Sequence, residues 1–133
     1  MTRPDLTAIF DELQKLLLQH SQGLQVTATT MDSKTVSKKR ALHLYGRKAV
    51  QILNRKLSQP TYVCGIIVQK NFVGFYSMAL YSHPQHFKLS AAVQKIKKGK
   101  SCLSITKVSP ELLREVERII TQSIALYKKE GWI

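Results

Sequence analysis

The sequence predicts an α+β fold: an antiparallel sheet of about five strands packed against an N-terminal and a C-terminal helix. Three observations lead there. The two long stretches with apolar residues at helical spacing lie at the ends of the chain. Between them runs a series of β-branched and aromatic segments. Short turns bearing Gly, Asn or Pro join these segments, which suits strands paired in sequence rather than parallel strands with crossover helices.

Taken in order, Leu6, Ile9, Phe10, Leu13, Leu16 and Leu17 give residues 4–20 one apolar helical face, with Pro4 at its start and Gly23 as its stop. Residues 24–30 alternate and read as a strand, and 33–39 as a polar, basic loop. Residues 41–45 and 49–53 flank Gly46-Arg47-Lys48, which reads as a short hairpin connection; Ser58-Gln59-Pro60 reads as a further turn. Residues 62–68 and 72–81 are apolar on both faces, as central strands are, with a tight turn at Lys70-Asn71. Residues 91–98 form a short basic helix ended by Gly99, and 102–105 a further strand. The final helix carries the fullest set of signals. Ser109 caps it and Pro110 takes its first turn, while Leu112, Leu113, Val116, Ile119, Ile120 and Ile124 share one face. Lys128 and Lys129 complement its negative end, and Gly131 stops it.

All 133 residues fit one domain, 1–133, with 44% hydrophobic and 22% charged residues. Such usage excludes a disordered chain, a collagen-like repeat and a disulfide scaffold. No run of 18 apolar residues exists, and Met1–Asp5 leads into an amphipathic stretch rather than a signal-peptide core. Cys64 and Cys102 lie 38 positions apart, outside any CxxC unit. The expectation is a cytoplasmic protein with two reduced, core-packed thiols, no cofactor and no membrane partner.

Charge is the abnormal property. The chain carries 21 Lys and Arg against 8 Asp and Glu, a net +13. Between Asp32 and Glu111 there is no carboxylate in 78 residues, but there are fifteen Lys or Arg. A sheet built from this middle presents a positive field to anions. Lys34, Lys38, Lys39, Arg40, Arg47, Lys48, Arg55 and Lys56 suit phosphate neutralisation, and Tyr45, Tyr62, Tyr76 and Tyr81 suit base stacking. The alternative is that the aromatics fill the core and the lysines serve solubility.

Gly99-Lys100-Ser101 resembles the tail of a phosphate-binding P-loop, but Gln94 stands where that motif needs glycine, and the order here is helix then strand. Nucleotide hydrolysis is excluded on that ground. What survives is a glycine-tipped turn whose amides, with Lys97, Lys98, Lys100 and Ser101, suit an anion; a helix-ending glycine among solvated lysines is the plainer account. Arg47 and Lys48 are the second candidate anion-binding turn. His83 and His86 are weak metal candidates, because zinc or iron needs further ligands and no carboxylate lies within twenty residues. A Ser-His-acid set would have to draw its carboxylate from the chain ends, so no catalytic constellation is expected.

Three segments, Lys70-Asn71-Phe72-Val73-Gly74-Phe75-Tyr76-Ser77-Met78, Gly99-Lys100-Ser101-Cys102-Leu103 and Tyr127-Lys128-Lys129-Glu130-Gly131-Trp132, resemble the YdhG-like domain family in order and spacing. The family is bacterial and largely uncharacterised, and the resemblance implies a frataxin-like fold over nearly the whole chain. One branch is described as a frataxin-like intracellular iron chaperone, a role that relies on acidic surface residues. The acid-free middle departs from that requirement, so iron binding is not carried over. Many members also have a Gly-x-Pro step after the first strand, where this chain has Met31-Asp32-Ser33. The resemblance supplies no catalytic residues. The first expectation is therefore a non-enzymatic module binding nucleic acid or another polyanion. A metal chaperone and a protein-interaction domain, homodimeric through the apolar faces of residues 62–81, are the alternatives.

Overall fold

The computed structural model describes residues 5–28, 40–52 and 55–133, with 48–52 and 55–59 described as backbone alone. Helix α1 (Leu6–Gln19) begins where Asp5 Oδ1 accepts the Ala8 N–H at 3.1 Å. Strand β1 (Gln25–Thr27) precedes two long strands, β2 (Ala41–Ile52) and β3 (Arg55–Val68), followed by β4 (Val73–Ser77). Helix α2 (Met78–Ser82), one 3-10 turn (Pro84–His86) and helix α3 (Ala91–Ile96) come next, then β5 (Lys97–Lys98), β6 (Cys102–Ile105) and helix α4 (Pro110–Glu130). The six strands form one sheet in the order β1-β2-β3-β4-β6-β5, every neighbouring pair antiparallel. This is the α+β class the sequence predicts, with six strands for about five.

Several local expectations give way to longer-range packing. The turns expected at Gly46-Arg47-Lys48 and Ser58-Gln59-Pro60 are absent, because both segments lie inside the β2–β3 ribbon. That ribbon shifts register three times between Leu44 and Gln51. A Cβ at Gly46 would stand 2.8 Å from Ile133 Cγ2 and 3.2 Å from the Trp132 carbonyl. Gly46 therefore marks an irregular strand where the C-terminal residues approach closely, a use of glycine that imitates a turn signal. Residues 78–81, expected to prolong a strand, form α2 instead; a short apolar run does not distinguish strand from buried helix by period. Lys97 and Lys98 leave the expected basic helix and pair with Leu103 and Cys102, with Gly99 at φ +67° turning the hairpin. The loop expected at 33–39 lies outside the described residues.

The core lies on one face of the sheet. Leu44, Cys64, Ile66, Phe75 and Leu103 meet Phe10, Leu13 and Leu17 of α1 and Val116, Ile120 and Tyr127 of α4. Ala79 and Leu80 of α2 and Val93 of α3 join the same cluster. Within it the Ser77 and Ser123 hydroxyls pair at 2.9 Å and Ser123 also donates to the Ile119 carbonyl, so these buried polar atoms are satisfied. Ser109 caps α4 by accepting the Leu112 N–H, and Gly131 ends it at φ +79°.

Candidate nucleic-acid interface

Side chains alternate across a strand, so the register that sends Leu44, Ile66, Phe75 and Leu103 into the core sends their neighbours to the other face. One cross-strand row there reads Thr27, His43, Gly65, Tyr76, Cys102, Lys98. The next reads Ala41, Ile67, Gly74, Ser104. None of these residues belongs to the helix-packed core cluster.

Two glycines shape this face. A Cβ at Gly74 would meet Tyr76 Oη at 2.7 Å and Tyr76 Cε2 and Cζ at 2.8 Å, so the Tyr76 ring is folded down along β4 onto the space Gly74 leaves. Gln69 Nε2 donates to Tyr76 Oη at 3.0 Å and pins the ring. Burial raises the Tyr76 phenol above its ordinary value, opposed by that hydrogen bond. Gly65 is likewise covered by Tyr62 Oη and by His43 Nδ1, which are 2.9 Å apart. Tyr45 closes that second cluster edge-on to Tyr62, with ring centroids at 5.2 Å.

The predicted stacking residues thus separate. Tyr76 is half-buried with its ring flat on the sheet; Tyr81, on α2, is exposed; Tyr45 is 2% exposed and presents no ring to a ligand. Sequence reasoning missed Phe72, two positions before Gly74, with Lys98 Nζ 5.1 Å from its ring centroid. Its signal was the period-two alternation Phe72, Gly74, Tyr76.

The predicted basic cluster separates too. Lys97 and Lys98 are successive strand residues and point to opposite faces, Lys98 toward Tyr76 and Phe72 and Lys97 away from them. Lys100 lies past the end of β5 with Nζ 5.6 Å from the Tyr81 ring centroid. Ser101 contributes its carbonyl to the Ser77 N–H at 2.9 Å, prolonging the β4–β6 ladder. Arg47 lies at the same end of the sheet as Gly99-Lys100, since β2 and β5 run in the same direction. Four strand spacings of about 4.8 Å separate β2 from β5, roughly 19 Å. Its guanidinium donates to the Gly23 and Leu24 carbonyls, tying β2 to the turn before β1. The two predicted turns therefore share an end but do not converge. The Lys48 side chain, like those of Lys34, Lys38, Lys39, Arg55 and Lys56, lies outside the described residues.

Carboxylates are placed with equal consequence. All seven among the described residues belong to α1, its cap or α4. Each is engaged: Asp5 by the Ala8 amide, Asp11 by Arg40, Glu12 by Lys15, Glu111 by Arg114, Glu115 by the Ser90 amide, Glu117 by His20 and Glu130 by His83. Arg40 also covers the Phe10 ring at 4.2 Å, so this predicted phosphate contact is committed to α1. Among the described residues no ion pair involves Lys70, Lys95, Lys97, Lys98, Lys100 or Lys107.

His83 and His86 approach with ring centroids at 5.9 Å, but no group of three or more metal-ligating side chains occurs among the described residues. Instead Ser82 Oγ sits 2.8 Å from His83 Nδ1, and His83 Nε2 3.3 Å from Glu130 Oε1. Serine, histidine and acid thus stand in the order of a hydrolase triad. The amide after the serine, which such chemistry would aim at an oxyanion, donates to the Ala79 carbonyl at 2.7 Å. Ser82 Oγ also pairs with Tyr127 Oη at 3.1 Å, and Trp132 packs edge-on against His83 and Tyr127. The network fastens the end of α4 to α2.

No protein-family model matches the chain, and no curated protein or solved structure is significantly similar to it. No helix among the described residues is long and apolar enough to cross a membrane.

Proposed function

We propose that this protein is a non-enzymatic binding module for a polyanion, nucleic acid before others, and that it binds through the sheet layer rather than the helical layer. The observation that carries the reading is the segregation of charge. Every described carboxylate sits on α1, its cap or α4 and is already engaged, while lysines on the sheet and its turns have no carboxylate partner among the described residues. Unpaired lysines facing water release condensed counterions when they meet phosphates, which makes binding favourable and salt-dependent. The strand edges support this over self-association by strand addition. Edge strand β1 has three residues and β5 two, both of them lysine, and such edges make poor templates for another chain.

The test is fluorescence anisotropy of labelled DNA and RNA oligonucleotides over a salt series from roughly 50 to 200 mM. The expected result is a steep linear fall of log affinity with log salt, made shallower by Lys98→Glu and Lys100→Glu but not by Lys15→Glu on α1. Absence of binding at the lowest salt overturns the reading and makes the +13 a solubility property.

A further inference from the structure

We infer that the polyanion is a single-stranded nucleic acid, held on the helix-free face of the sheet by bases stacking on Tyr76 and Phe72, with Lys98 as the phosphate contact between them. The inference rests on the polyanion reading above and adds the strandedness of the partner and the atoms that select it.

Geometry separates this face from a merely positive one. A tyrosine on a strand ordinarily stands off the sheet, but Gly74 leaves a gap that the Tyr76 ring occupies, so the ring lies along the surface with one face toward the backbone. Gln69 holds the hydroxyl at 3.0 Å, fixing the ring before any ligand arrives. A ring so held loses little rotamer freedom on stacking, which is what a stacking platform needs. Phe72 lies four residues earlier, in the β3–β4 turn immediately before β4, where Lys98 Nζ reaches its ring; four extended residues span up to about 13 Å, which leaves room for one base on each ring.

Cations flank this strip on three sides. Lys70 lies at the β3–β4 turn beside Phe72, Lys98 on the neighbouring edge and Lys100 beyond the far end. Lys98 Nζ rests over the Phe72 ring, and Lys100 Nζ over Tyr81. These contacts keep the ammonium groups beside rings, and an exposed cation–π pair is weak enough to be exchanged readily for a phosphate. A base arriving on Phe72 displaces Lys98 toward the adjoining phosphate. A duplex satisfies only half of this arrangement, because its bases are stacked on one another and its phosphates alone reach the lysines.

The test compares a labelled single strand with the same sequence annealed to its complement, using the intact protein. Wild type is expected to bind the single strand at least tenfold more tightly. Tyr76→Leu should lose roughly tenfold or more in single-strand affinity with an unchanged salt slope, and Tyr76→Phe should keep most of it, because stacking uses the ring. Lys98→Met should lower the magnitude of the salt slope by about 0.7. Thermal unfolding of each variant shows whether the sheet is intact; if Tyr76→Leu does not fold, Phe72→Leu carries the same comparison. Equal affinity for duplex and single strand, or full affinity in folded Tyr76→Leu and Phe72→Leu, overturns the inference and leaves the polyanion reading standing. Failure to bind either form at low salt overturns both.

Discussion

Substituting alanine at Gly65 and at Gly74 adds the same methyl group to two neighbouring strands, yet the surroundings dictate different outcomes. At Gly74 all three nearest atoms belong to the outer part of the Tyr76 side chain, at 2.7–2.8 Å. The ring can swing outward about its own torsions, losing the Gln69 hydrogen bond. That net loss, about 0.5–1.5 kcal/mol, is offset by the roughly 0.5–1 kcal/mol gained on replacing glycine within a strand. Gly74→Ala should therefore change stability by less than ~1 kcal/mol. At Gly65 the new methyl would stand 2.8 Å from the Leu42 carbonyl, which is backbone of the adjacent strand, besides meeting Tyr62 Oη and His43 Nδ1. His43 is 2% exposed and has nowhere to go. Overpacking of this kind costs about 1–3 kcal/mol, and separating His43 from Tyr62 adds about 1 kcal/mol. The sum, ~2–4 kcal/mol, less the same ~0.5–1 kcal/mol gained on replacing a strand glycine, leaves ~1–3.5 kcal/mol, a large part of a small domain's total stability. Urea unfolding followed by circular dichroism measures both: Gly65→Ala should lower the midpoint sharply at unchanged m-value, and Gly74→Ala barely. Equal midpoints for the two variants would refute the account of why each glycine is there.

Burial pushes the Tyr127 phenol from its ordinary 10.0 up to about 12. The folded state keeps this proton after the unfolded chain has lost it, so stability is full below about pH 10 and falls as pH rises toward 12; at ~1.36 kcal/mol per pH unit that is about 2.7 kcal/mol, and Tyr127→Phe should flatten the decline in urea midpoints measured against pH. Burial likewise pushes the Cys64 thiol up to about 12, and Cys64 is fully enclosed whereas Cys102 is partly exposed. A thiol-reactive chromophore at neutral pH should modify Cys102 slowly and Cys64 only after denaturation; loss of the native-state reaction in Cys64→Ser rather than Cys102→Ser would contradict the placement. Ser109→Ala should cost about 1 kcal/mol by removing the cap on Leu112 N–H, read as a fall in thermal midpoint of several degrees.

The parts of the fold legible in the sequence were those decided within a few residues. Strand β6 occupies the expected 102–105, and α4 begins at its Ser109 cap and ends at Gly131 because caps are local chemistry. The parts that were not legible depend on partners far along the chain. Gly46 serves the approach of Ile133, a contact across 87 positions that leaves no local trace. Met78–Ser82 becomes helical because it packs against α4 rather than continuing the ladder beyond Ser77, and apolar composition alone is neutral between those fates. Of the candidate site, Tyr76, Lys98 and Lys100 were visible as residue types. The split of Lys97 from Lys98 required the register, and the flattened Tyr76 ring required knowing that Gly74 lies under it.

The confinement of the described acids to α1, its cap and α4 has a consequence for motion as well as for contact. A body whose acids are gathered in one layer carries a dipole moment, and a dipole in the field of a polyanion experiences a torque. On the polyanion reading, that torque turns the sheet toward the partner within about one Debye length of contact, roughly 30 Å at 0.01 M ionic strength, so that encounters arrive already oriented. Removing a single surface lysine leaves most of that moment in place. Replacing that lysine with a carboxylate shifts the local charge by two units instead of one, and would slow association more than it hastens release.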